Sequence, residues 1–263
     1  MNSKKIKWED LTLSDNYLFQ TYMEKEENCK KLLTEILGKP VRKIEYSGFE
    51  ESYKAKFEAK GIRLDVYIEG DEKIYNVEMQ TTDEALDKRS RYYHSVLDLK
   101  TLQPGDSYRD IRESYVIFIC TFDPFDKNEV YYHIQNQCTN VRDVEYDDGM
   151  HTIYLNTKGS KGKVSNYLKT FLNAVDGVFD SSELSAKIKE EVDEIKYSDK
   201  WREEYMFQEV HDQDMIIKGR REGRKDAVLE LVRDGDISIE RAAEKLEISL
   251  EEAKKRLEEL DSE

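Results

Sequence analysis

The stretch GIRLDVYIEGDEKIYNVEMQ, residues 61–80, decides how the rest of the chain is read. Ile62, Leu64, Val66 and Ile68 alternate with Arg63, Asp65, Tyr67 and Glu69. That period of two marks a strand with one apolar face. Residues 74–80 carry the β-formers Ile74, Tyr75 and Val77 and read as a second strand. Gly70-Asp71-Glu72-Lys73 between them is a turn sequence. A hairpin symmetric about the Asp71–Glu72 bond sets Asp65 opposite Glu78 and Arg63 opposite Gln80, so Asp65, Glu78 and Gln80 share one face. Two directly opposed carboxylates repel and weaken a strand pair. A cation between them removes that cost, and Mg²⁺ needs only one or two protein carboxylates. An exposed polar face with an accidental register accounts for the same spacing.

Outward from the hairpin the pattern is α/β. Ser14 or Asp15 caps a helix carrying Tyr17, Leu18, Tyr22 and Met23, with Phe19 as a core residue. A second helix over 28–37 stops at Gly38, with Pro40 beyond. Residues 41–53 form a first strand region, with a bulge or break expected near Ser47-Gly48. After the hairpin, Thr81-Thr82-Asp83 are expected to cap a helix ending before Pro104-Gly105. Leu86, Tyr93, Val96, Leu97 and Leu102 suit its buried face. SYVIFICTF at 114–122 is apolar almost throughout, as in a strand buried on both faces. Residues 129–137 and 152–155 read as two more strands. The order α-β-β-β-α-β implies an α/β fold with a mixed sheet flanked by helices.

Composition narrows the class. The 263 residues allow one substantial domain, placed at 8–178, and an extension over 179–263. Hydrophobic and charged residues each make up 38%, which suggests much solvated helix beside a modest core. The net charge of −15 argues against binding nucleic acid with the surface as a whole and leaves only a local basic patch. Cys29, Cys120 and Cys138 lie far apart, so neither a zinc site nor a disulfide framework is expected. No apolar run is long enough to span a membrane, and residues 1–10 lack an apolar signal core. A soluble cytoplasmic protein is expected. The four histidines show no ligand spacing. No Ser/His/Asp or Cys/His arrangement and no phosphate-binding glycine pattern is present.

The C-terminal region is helical and charged, with Trp201, Tyr205 and Phe207 reading as anchors to the first domain. KGRREGRK at 218–225 is its basic run, and Gly219 and Gly223 sit four apart on one helix. Self-association through these helices, a phosphate-contacting patch and a plain solvated face all fit. Residues 236–260 form a helical hairpin spaced like a helix-turn-helix. A recognition helix should begin with base-reading, basic side chains. This one begins Leu250-Glu251-Glu252, which favours packing or oligomerisation over DNA reading.

The D-x12-E-x-Q set on two strands resembles the active-site hairpin of the PD-(D/E)XK nuclease superfamily. GIRLDVYIE, IYNVEMQTTD, KRSRYYHSVLD and SYVIFICTFDPF, with LTLSDNYLFQTYM before and KWREEYM after, resemble in this order the Rpn family (recombination-promoting nuclease/putative transposase). The resemblance runs from about Leu11 to Arg224 and implies a restriction-endonuclease-like core. It implies a metal-dependent DNA endonuclease linked to recombination or mobile elements. Asp65, Glu78 and the Met79 carbonyl would be ligands to Mg²⁺, with Mn²⁺ as an alternative. The superfamily's third catalytic position is usually Lys and here is Gln80, which brings no charge and is expected to orient a water or a phosphate oxygen. Glu35 stands where a metal-side Glu of the first core helix often occurs, and reads more simply as a solvated helix residue. Arg89 and Arg91, on the helix after the site, are candidate phosphate contacts. Two other classes stay open. One is a catalytically silent nuclease-fold binding or assembly module, favoured by the acidic charge and the missing Lys. The other is a DNA-binding regulator acting through residues 236–260.

Overall fold

The computed structural model describes residues 7–44, 46–53, 62–70 and 73–261. They belong to two compact units, residues 1–199 and 200–263. Six strands of the first unit form one mixed sheet in the order β1-β2-β3-β4-β6-β5. β1 (Tyr46–Tyr53), β2 (Ile62–Gly70) and β3 (Lys73–Gln80) make an antiparallel meander. β3, β4 (Glu113–Cys120) and β6 (Met150–Asn156) run parallel, and β5 (Tyr131–Ile134) closes the far edge antiparallel to β6. β4 is the central parallel strand and is buried along nearly its whole length, as its unbroken apolar sequence requires.

The β2–β3 register is the one read from the turn: Val66 pairs with Val77 and Gly70 with Lys73. Asp71 and Glu72 themselves lie outside the described residues. The bulge expected near Ser47-Gly48 is absent, since β1 meets β2 without offset from Tyr46↔Glu69 to Tyr53↔Ile62. Pairing with Ile68 and Tyr67 overrides the weak strand propensity of Ser47 and Gly48.

Helices cover both faces. On one, Leu86, Tyr93, Val96 and Leu97 of α3 (Leu86–Thr101) pack against Tyr67, Ile74, Val116, Phe118, Cys120 and Tyr154. On the other side lie α1 (Asn16–Met23), α2 (Glu26–Leu37) and α4 (Asn166–Val175); α1 touches β2, and Tyr22 meets Phe171. Asp15 caps α1 by accepting from the Leu18 N–H, and Phe19 is fully buried, both as expected. The cap predicted for α3 at Thr81-Thr82-Asp83 is not made. α3 begins at Leu86 after Ala85 at φ 49°, with no side-chain cap. The Ala85 carbonyl accepts from the N–H groups of Lys88 and Arg89, so the helix starts on backbone bonds alone. α5 (Glu183–Lys196), within the region read as extension, lies in the first unit: the Trp8 indole donates to the Lys196 carbonyl and the Tyr22 hydroxyl to Glu191.

The second unit is helical. α6 (Asp199–Arg233) is followed by the hairpin of α7 (Ile239–Leu246) and α8 (Leu250–Asp261). Ser238 and Ser249 cap the two short helices, and Val228, Leu229, Ala242, Ala243 and Ala253 form their core. Arg256 of α8 pairs with Glu222 and Asp226 of α6. Phe207, read as an anchor, is 78% exposed. Among the described residues no helix is long and apolar enough to cross a membrane.

Candidate active site

Where β2 and β3 continue past the Val66–Val77 pair, side chains take the place of ladder bonds. Glu78 Oε1 accepts from the Asp65 N–H at 3.2 Å, and the Met79 N–H donates to Asp65 Oδ2 at 3.1 Å. Each carboxylate thus clasps the backbone of the opposite strand. Glu78 is 2% exposed and Asp65 6%. Burial, and then the Asp65 charge beside it, push the Glu78 carboxyl well above the usual carboxylate range. Bonds from Asn76 Nδ2 (3.0 Å) and the Asp65 N–H favour its ionised form without outweighing those two effects.

α3 supplies the opposing charge. Arg89 Nη1 donates to Gln80 Oε1 at 2.8 Å and Nη2 to the Tyr93 hydroxyl at 2.8 Å; Nη2 lies 3.7 Å from Glu78 Oε2. The Tyr93 hydroxyl also donates to Glu78 Oε2 at 3.4 Å. Burial, reinforced by Glu78, raises the Tyr93 phenol to about 12, so it stays a donor. Burial works against the Arg89 charge, but the Tyr93 bond and the Glu78 and Glu84 carboxylates outweigh it and raise its pKa. The Tyr93 ring is held 6.1 Å from that of Phe118, which fixes the angle at which α3 presents Arg89.

The fold therefore brings Asp65, Glu78, Gln80 and Arg89 together. The Gln80 carbonyl accepts from the Thr121 N–H, on the β4 side, whereas the Met79 N–H points to Asp65. The N–H and C=O of one strand residue leave on the same side, so the Met79 carbonyl leaves on the β2 side. Arg91, two positions on in α3, is exposed and lines a separate shallow cavity with Asp87, His94 and Asn136. Glu35 lines a cavity with Tyr131 and Lys163 and is not part of this cluster. His94 is buried between Ser114 and Thr152, and burial lowers its pKa to about 4. His133 bonds His151.

Sequence reasoning missed Asn76 and Tyr93 as site residues. Both had a signal: Asn76 stands two before Glu78 on the same strand face, and Tyr93 stands four after Arg89 on one helix side. The donor set is hard oxygen, as Mg²⁺ or Mn²⁺ prefers. Asn76 turns its Nδ2 to Glu78, and among the described residues its buried Oδ1 has no hydrogen-bond partner. Among the described residues no three His, Cys, Asp or Glu side chains converge as a metal site, so an ion here depends on two carboxylates, backbone and water.

A family model described as PD-(D/E)XK nuclease family transposase matches residues 14–218. No curated protein and no solved structure matches the chain.

Proposed function

The chain belongs to the PD-(D/E)XK nuclease transposase family, and from that premise we propose that it is a Mg²⁺-dependent DNA endonuclease, with Mn²⁺ as an alternative ion. It would hydrolyse phosphodiester bonds in the cytoplasm, in recombination or mobile-element processes. The observation that carries this reading is the reciprocal clasp: two buried, opposed carboxylates that the fold holds at a cost and that an ion would relieve.

Asp65, Glu78 and the Met79 carbonyl would hold the ion, which when bound polarises the scissile phosphate and lowers the pKa of an attacking water. The chain's own groups do the rest. As a ligand Glu78 would be ionised, its proton having passed to solvent. Gln80 keeps its carbonyl oxygen on Arg89, which leaves its amide N–H groups to orient a water or a phosphate oxygen. Arg89 supplies the positive charge that Gln80 lacks, as a planar fork suited to phosphate. Tyr93 positions Arg89. Arg91, on another side of α3, would touch only a flanking phosphate. Besides DNA, a second copy of the chain is the partner we assign to the C-terminal helices.

The test is nicking of supercoiled plasmid with Mg²⁺ by wild type, Asp65→Ala and Glu78→Ala. Loss of activity in both folded variants supports the reading. Equal activity in all three places the chemistry elsewhere. An inactive wild type, with Mn²⁺ and RNA also tried, points to the silent binding module instead.

A further inference from the structure

Val228 and Leu229 are the buried residues of α6, and the side chains before them are exposed or half-buried. Met206, Val210 and Ile217 are 57%, 60% and 61% exposed. Positions 203, 206, 210, 213, 217 and 220 alternate steps of three and four and so form one stripe along the helix. It reads Glu203, Met206, Val210, Gln213, Ile217, Arg220, and each of these side chains is exposed. Charge divides along the same axis. Residues 203–214 hold Glu203, Glu204, Glu209, Asp212 and Asp214 with no Lys or Arg. Residues 218–225 hold five Lys or Arg against Glu222 alone. The two halves lie on one continuous helix, so they cannot fold back on each other. Gly219 and Gly223 lie off the stripe, so close approach at glycines plays no part.

We propose that a second copy of this chain covers the stripe, with the two α6 helices antiparallel. Centred between His211 and Asp212, that arrangement sets Glu203 opposite Arg220, Met206 opposite Ile217 and Val210 opposite Gln213, each twice by two-fold symmetry. A parallel pair sets Glu203 against Glu203 and Arg220 against Arg220, and like charges disfavour it. DNA on the basic half leaves the apolar middle uncovered and the acidic half repelled. The pairing does not depend on the nuclease reading. If both hold, each assembly carries two Asp65–Glu78 sites.

Sedimentation velocity of the full-length chain tests this, with wild type, Glu203→Arg, Arg220→Glu and the double variant, all checked for helix content by circular dichroism. Wild type sediments as a dimer at micromolar concentration. Either single reversal weakens the dimer on the order of tenfold, and the double variant recovers it. The two positions are roughly 25 Å apart along one helix, so recovery cannot arise within a chain. A monomeric wild type, a dimer indifferent to both reversals, or a double variant no tighter than the singles overturns the proposal. So does an Arg220→Glu variant that loses DNA affinity while its oligomeric state is unchanged.

Discussion

Replacing Glu78 with Gln should stabilise the metal-free protein, and only at high pH. The side chain is 2% exposed and faces the Asp65 carboxylate. In Glu78→Gln, Oε1 still accepts from the Asp65 N–H and Asn76, and the new amide can donate to the Tyr93 hydroxyl. The substitution therefore keeps the bonds from the Asp65 N–H and Asn76, reverses the Tyr93 bond, and removes a buried charge that faces Asp65. The sign follows from the raised pKa: the native state favours the protonated carboxyl. Its contribution is present below the ordinary carboxylate range and is lost as pH climbs through the raised native value. At pH ~5 wild type and variant should melt together, and at pH ~9 the variant should be ahead by about 2 kcal/mol. For a unit of this size that is about 4–8 °C in Tm. Scanning calorimetry in EDTA, repeated with Mg²⁺, reads it directly. Mg²⁺ should raise wild type at pH ~9 and leave the variant where it was. An equal gain at both pH values, a variant less stable at pH ~9, or equal protection of both by Mg²⁺ would refute the reasoning.

Other outcomes follow from the same geometry. Arg89→Ala should lower the plasmid nicking rate about 100-fold, with Arg89→Lys intermediate because one ammonium cannot hold Gln80 and Tyr93 together; Arg91→Ala should stay within about threefold on phosphate-contact grounds. Tyr93→Phe removes the hydroxyl between Arg89 and Glu78 and should cost about 1 kcal/mol of stability by chemical denaturation, with a fall in kcat that Arg89→Ala then barely deepens. Phe118→Ala opens the core under α3 and should cost about 3–5 kcal/mol, measured as a drop in the thermal midpoint. Removing residues 236–263 should leave DNA affinity unchanged in a filter-binding assay; a loss would favour the regulator reading.

The hairpin was legible because its information is local. Strand alternation and a turn of fixed length determine register, and register alone puts Asp65 and Glu78 at corresponding positions. The parallel β4 was legible for a related reason, since a strand covered on both faces has to be apolar throughout. Arg89 and Tyr93 were harder, because their meeting with Gln80 and Glu78 depends on how α3 seats on Phe118, a contact between distant segments. The start of α3 is not legible in the sequence: Thr81, Thr82 and Asp83 are good capping residues, yet the chain bends at Thr81 and Thr82 and begins the helix after Ala85. Propensity names residues able to cap and does not fix where the helix has room to begin. Ser47 and Gly48 show the converse: a locally weak strand signal settled by pairing with β2.

The claim on which the account rests is that Asp65 and Glu78 exchange a proton for a divalent ion. Titration calorimetry of Mn²⁺ into the full-length protein near neutral pH, in two buffers of different ionisation enthalpy, measures both halves of that exchange. The account predicts about one ion bound and up to one proton released per chain, with binding abolished in Asp65→Asn and in Glu78→Gln. Binding that survives both substitutions, or no binding by the wild type, would contradict it.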